Sequence, residues 1–186
     1  MRTTLHRSSN GRWERGATAV EFAIVAMLFF TIVLGIMEFG RVLYVWNTVQ
    51  EVTRRAAREA VVRGFADAGM VSRAAVFNPE TGSGTAYLPA GLEISDANVK
   101  INYLNGSLAV ASPMPTDPAD NLSACNDVSR ATSCIRFVEA CVATGGNCTG
   151  SVNYVPMAGL FPFLAIPIPL SSVIMPAESL GFSVSP

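Results

Sequence analysis

Sixteen consecutive uncharged residues, Phe22-Ala-Ile-Val-Ala-Met-Leu-Phe-Phe-Thr-Ile-Val-Leu-Gly-Ile-Met37, constrain this chain more than any other feature. As a helix they cover about 24 Å at 1.5 Å per residue, short of the roughly 30 Å of a bilayer core. The flanks supply the rest: residues 17–20 are small or apolar, and Phe39, Val42, Leu43, Tyr44, Val45 and Trp46 continue the stretch, with Tyr44 and Trp46 suited to a membrane–water interface. A soluble core helix would need a polar face, and this run has none over four turns. A cleaved secretory signal would end at a small-residue site, and the helical pattern instead continues past Met37. A single membrane span over residues 17–46 is therefore predicted. One carboxylate, Glu21, stands at its mouth, where a charge is costly and marks a functional candidate. At the other boundary Glu38 and Arg41 are spaced i, i+3 and can pair on the helix surface.

The helix is expected to continue to Arg63, with Gly64 as its stop. Val45, Val49, Val52, Ala56 and Ala60 recur at steps of three and four, a narrow stripe of small apolar residues facing a compact domain. Residues 47–64 thus carry the helix out of the membrane, and residues 65–186 form the domain.

That domain reads as β-rich, so the fold class is α+β: a long N-terminal transmembrane helix followed by a small antiparallel sheet. Residues 70–77 form a short helical or extended piece. Val99-Lys-Ile-Asn-Tyr-Leu alternates apolar and polar residues, and Asn105-Gly106 supplies a tight turn into Ser107-Leu-Ala-Val-Ala111, predicting a hairpin. Residues 112–121 carry prolines and Asp/Asn residues and read as loop. Residues 134–142 and 148–155 form two further strands around the turn Thr144-Gly-Gly-Asn147, and a last strand lies near residues 170–175. The apolar segment 156–170 contains four prolines, which break a helical ladder, so it packs irregularly on the sheet rather than crossing a membrane.

The four cysteines, Cys125, Cys134, Cys141 and Cys148, fall in one window with spacing C-x8-C-x6-C-x6-C. No C-x2-C pair is present and the single histidine, His6, lies far away, so disulfides are favoured over zinc. Of three connectivities the local one is preferred: Cys141 with Cys148 across a hairpin, and Cys125 with Cys134 closing the loop before it. Disulfides require an oxidising compartment, which puts the domain outside the cytoplasm and the arginine-bearing leader, residues 1–16, inside it.

Composition argues against several functions. With a net charge of −1, a single lysine, Lys100, and no basic stripe, nucleic acid is not an expected partner. His6 is in the leader, which removes histidine-based catalysis from the domain. No nucleophile elbow, phosphate loop or paired-carboxylate constellation stands out. No enzymatic activity, cofactor, metal or small-molecule substrate is expected.

Gly16-Ala-Thr-Ala-Val-Glu21-Phe, the apolar run, and Gly35-Ile-Met-Glu-Phe-Gly-Arg41 together resemble the TadE-like family of tight-adherence (Flp-type) pilus assembly proteins. The closing segment, Val152-Asn-Tyr-Val-Pro-Met through Leu-Phe-Pro to Ile-Met-Pro-Ala-Glu178, is similar to how that family ends. Prepilins of this system commonly place Tyr after the glutamate, where this chain has Phe22. The resemblance implies a pseudopilin of a type IV-like pilus or secretion apparatus, cut by a prepilin peptidase between Gly16 and Ala17. It also implies that Glu21 meets the new N-terminal amine of an adjacent subunit. Partners would be the peptidase, other pilin-like subunits, the inner-membrane assembly platform and lipid. The location would be the bacterial inner membrane, single-pass, with the domain periplasmic. A bitopic envelope protein with an uncleaved signal anchor and a partner-binding periplasmic domain is the alternative.

Overall fold

A computed structural model describes residues 11–157, 159 and 161–182 of the chain. His6, Arg2 and Arg7 of the leader lie outside the described residues. The chain divides into two units, residues 1–40 and 41–186. Helix α1, Gly11–Val62, supplies the described part of the first and opens the second. The elements that follow are α2 (Ala68–Ala75), β1 (Tyr87–Leu88), β2 (Gly91–Ser95), β3 (Val99–Leu104), α3 (Pro118–Asn126), β4 (Phe137–Val142) and β5 (Ser171–Pro176). The architecture is the expected α+β arrangement of a long apolar helix, small antiparallel sheets and two disulfides.

In the first unit the helix shows its apolar side chains to the outside. Phe22, Met27 and Ile36 are 73%, 74% and 68% exposed, values that no folded core would leave to water.

In the second unit the small-residue stripe does what its periodicity predicts. Val45, Val49, Val52, Ala56 and Ala60 are all buried, joined by Val42, Ala57 and Val61. Each buried valine contributes about 1.5–3 kcal/mol relative to exposure. Val42 to Ala57 pack with Leu88, Ile94, Ala140, Val142, Tyr154 and Ile168, while Ala60 and Val61 join a second cluster with Val71, Tyr103, Val138 and Leu180. The small side chains let the sheet approach the helix closely. β3, β4 and β5 form one antiparallel sheet in that order, and β1 and β2 form a separate hairpin.

The end of α1 is closed by the segment after β5. The N–H groups of Glu178 and Leu180 donate to the Val61 carbonyl at 3.2 and 3.1 Å, and that of Gly181 donates to Val62 at 2.9 Å. These bonds satisfy carbonyls that a helix terminus leaves without partners. Gly181 has φ +80, and a Cβ there would sit 2.5 Å from the Gly64 nitrogen, so both the turn and the close approach require glycine.

Three local expectations are corrected. Residues 107–111 do not return as a strand, and only the bridge Leu104↔Val110 forms. The Asn105 side-chain oxygen accepts from the N–H groups of Ser107 and Ala109 at 3.0 and 3.2 Å, and Leu108 takes φ 61. This local capping competes with a ladder, so the return is limited to that bridge, while β3 pairs along its whole length with β4. Residues 148–155 are likewise not a strand. Asn147 and Cys148 adopt φ 52 and 57, turning the chain aside, and the only pairing there is the bridge Asn153↔Pro167. The third correction is α3, which begins inside the expected loop: Asp117 caps it by accepting from the Asp120 N–H at 2.8 Å, with Pro118 in the first turn. Asp before Pro is a helix-start signal hidden among the breakers.

Candidate functional site

The residues singled out from the sequence fall in three places. Gly16 and Ala17 lie on the helical backbone of α1, with Ala17 exposed. Glu21 follows one turn later, also exposed, on a rod whose neighbours Val20, Phe22, Ile24 and Val25 are apolar and more than half exposed. At i, i+4 the Ala17 nitrogen and the Glu21 side chain are separated by about 6 Å of helix rise. Among the described residues one helix is long and apolar enough to cross a membrane, and its span, which starts at Ala17, contains both Ala17 and Glu21.

Arg41 is the best-connected functional candidate. Its Nη2 donates to Glu93 Oε2 at 2.8 Å, Nη1 to the Tyr154 hydroxyl and the Val155 carbonyl at 2.8 Å each, and Nε to the Ala90 carbonyl at 3.0 Å. The guanidinium also lies 4.7 Å from the Tyr154 ring centroid. Arg41 thereby joins α1 to the β1–β2 hairpin and to the segment beside Ile166. Glu93 could not be found from sequence, because its segment has no distinguishing pattern; Tyr154 lies in the Val152–Met157 stretch that carries part of the resemblance, but nothing there pointed to Arg41. Glu38, three residues earlier on the helix, is buried at 5% exposure.

The four cysteines form two disulfides, Cys125–Cys134 and Cys141–Cys148, so the local connectivity holds. The hairpin geometry expected for the second does not. It links β4 to the left-handed turn at Cys148, and Asn102 donates to Cys148 Sγ at 3.4 Å.

Around the first disulfide, carboxylates hold the loops. Backbone donation from Thr116 at 3.0 Å, and then Arg130 at 2.8 Å, holds the Asp120 carboxyl below its ordinary value of 3.8. The Ser129 hydroxyl and N–H do the same for Asp127, and Arg63 for Glu80, whose ordinary value is 4.5. A carboxylate whose folded pKa is depressed contributes stability that is complete above its unfolded pKa and is lost as pH falls through the folded value. The melting temperature is therefore expected to be flat down to about pH 5 and to fall progressively below about pH 4. Asp120→Asn should flatten part of that acid limb in thermal melts followed by circular dichroism; an unchanged limb would remove Asp120 from the account.

Among the described residues, one helix long and apolar enough to cross a membrane, with Glu21 near the start of its uncharged run, continues into a domain closed by two disulfides, which is consistent with a membrane-anchored component. Residues 16–58 match the family model of TadE-like protein, which bears out the resemblance over a segment reaching from Gly16 through Glu21 and Arg41 into the buried stripe. That family is pilus-associated and not known for catalysis, and the match supports a role related to the Tad pilus. No curated protein and no solved structure matches the chain.

Proposed function

We propose that this chain is a pseudopilin of a tight-adherence pilus, anchored in the bacterial inner membrane by α1 with its disulfide-bonded domain in the periplasm. The observation that carries this reading is the family match that begins at Gly16, together with an exposed Glu21, the one charged residue between Gly16 and Glu38. Cleavage between Gly16 and Ala17 by a prepilin peptidase frees a cationic amine one turn from Glu21. An isolated carboxylate in a low-dielectric layer carries a desolvation penalty of several kcal/mol, which a charge-assisted hydrogen bond to an amine offsets. Lipid provides no such amine; a neighbouring processed pilin-like subunit does. The disulfides favour an oxidising compartment for residues 65–186, which supports a reading with the leader in the cytoplasm.

N-terminal sequencing of the protein from its native membrane tests the reading. A mature chain beginning at Ala17 is expected, and Gly16→Leu should leave the full-length form, visible as an unshifted band. A wild-type chain that keeps its leader would instead make this a bitopic protein with an uncleaved anchor.

A further inference from the structure

Among the described residues, no strand pairs with the outer edge of β5. β5 pairs with β4 on one side only. Beyond its end the Ala177 N–H donates to the Arg136 carbonyl at 2.9 Å, in register with the ladder. The alternation of an antiparallel pair then turns the backbone N–H and C=O groups of Ser172 and Ile174 to the outer edge. Both residues are exposed, and among the described residues no backbone hydrogen bond reaches that edge. Natural edges are commonly blunted by lysines or bulges. This one has neither, only Pro169 and Pro176 at its ends, so it is short but open.

A groove of about 340 Å³ runs between this edge and α1, lined by Leu43, Trp46, Gln50 and Arg54 from the helix and by Leu170 and Ser172 from the strand side. Residues 43–54 cover about 16 Å of helix, the length of about five residues of extended chain. Trp46 keeps a buried indole N–H with no hydrogen-bond partner among the described residues. The charge is of one sign. Arg54 is exposed and unpaired among the described residues, as is Arg58 one turn on, and no acidic residue lines the groove.

We propose that the outer edge of β5 is a docking edge that takes an extended, acidic segment of a partner protein as the fourth strand of the sheet, with a carboxylate on Arg54. Backbone pairing to Ser172 and Ile174 supplies affinity, the apolar floor of Leu43 and Leu170 takes alternate side chains, and the arginine sets the preference for acid. The proposal stands whether or not the chain acts in pilus assembly.

The test is photo-crosslinking of the full-length protein in its native host, with a benzoylphenylalanine at position 174 and the adduct sequenced by mass spectrometry. The expected adduct is an Asp- or Glu-bearing extended segment of a different protein. Ser172→Pro deletes one outward N–H while leaving the β4 ladder intact, and proline is tolerated on edge strands. Its adduct yield should drop about tenfold or more, as should that of Arg54→Glu, while Ser172→Ala retains the adduct. If Ser172→Pro fails to accumulate with both disulfides formed, Arg54→Glu alone decides. No adduct, an adduct with lipid or with a second copy of this chain, or one that Arg54→Glu leaves unchanged would overturn the proposal.

Discussion

Glu21→Ala is expected to leave the protein in the membrane fraction at normal abundance while surface piliation falls about tenfold or more, because under the proposed function the substitution removes a charge pair and not an apolar contact. Insertion depends on the uncharged run 22–37, which the change does not touch, and alanine at position 21 makes the helix more apolar, not less. What the proposed function says is lost is the acceptor for a neighbouring amine. Electron microscopy or shear-fraction blotting against membrane-fraction blotting separates the two effects. Glu21→Asp keeps the charge but shortens the reach by one methylene, so it should retain part of the piliation. Normal piliation in Glu21→Ala would leave the carboxylate as a solvated boundary residue.

Arg41→Ala should be the most destabilising single change in the second unit. The guanidinium and the Glu93 carboxylate are only 13% and 2% exposed, and Glu93 Oε1 has no hydrogen-bond partner among the described residues. Removing the cation leaves Glu93 charged and buried, and breaking a buried pair in this way costs about 3–5 kcal/mol. For a chain of this size that corresponds to roughly 10 °C in Tm. Arg41→Lys does not restore the wild-type value, since an ammonium cannot reach Glu93, Tyr154, Val155 and Ala90 together or lie flat on the Tyr154 ring. Adding Glu93→Gln to Arg41→Ala should recover part of the loss. Thermal melts of the detergent-solubilised chain decide it: a Tm within about 2 °C of wild type for Arg41→Ala would show that the pair carries little of the stability.

The helical half of the fold was legible because its signal is periodic and local. The stripe from Val45 to Ala60 needs only the 3.6-residue repeat to be placed, and all five of its members are buried. The cysteine pairing was legible because closing short loops leaves few options. The sheet was less so. The alternation over 99–104 announces a strand, but its return over 107–111 shrinks to a single bridge, because the Asn105 side chain takes the turn's N–H groups, and its full-length partner, β4, lies far along the chain. The turn Thr144-Gly-Gly-Asn147 reads as a hairpin that brings Cys148 opposite Cys141, but a left-handed turn at Asn147 and Cys148 brings the two sulfurs together without a second strand. At the candidate site, Arg41 was flagged by charge, while Glu93 lies 52 residues away in a strand with no repeat to announce it. Long-range partners of this kind are decided by packing that no local pattern encodes.

The bonds from Glu178, Leu180 and Gly181 onto Val61 and Val62 join parts of the polypeptide synthesised far apart in time. Because α1 precedes those amides in the sequence, the helix is made before the donors that close its far end, so its last carbonyls are satisfied only once the segment after β5 has arrived.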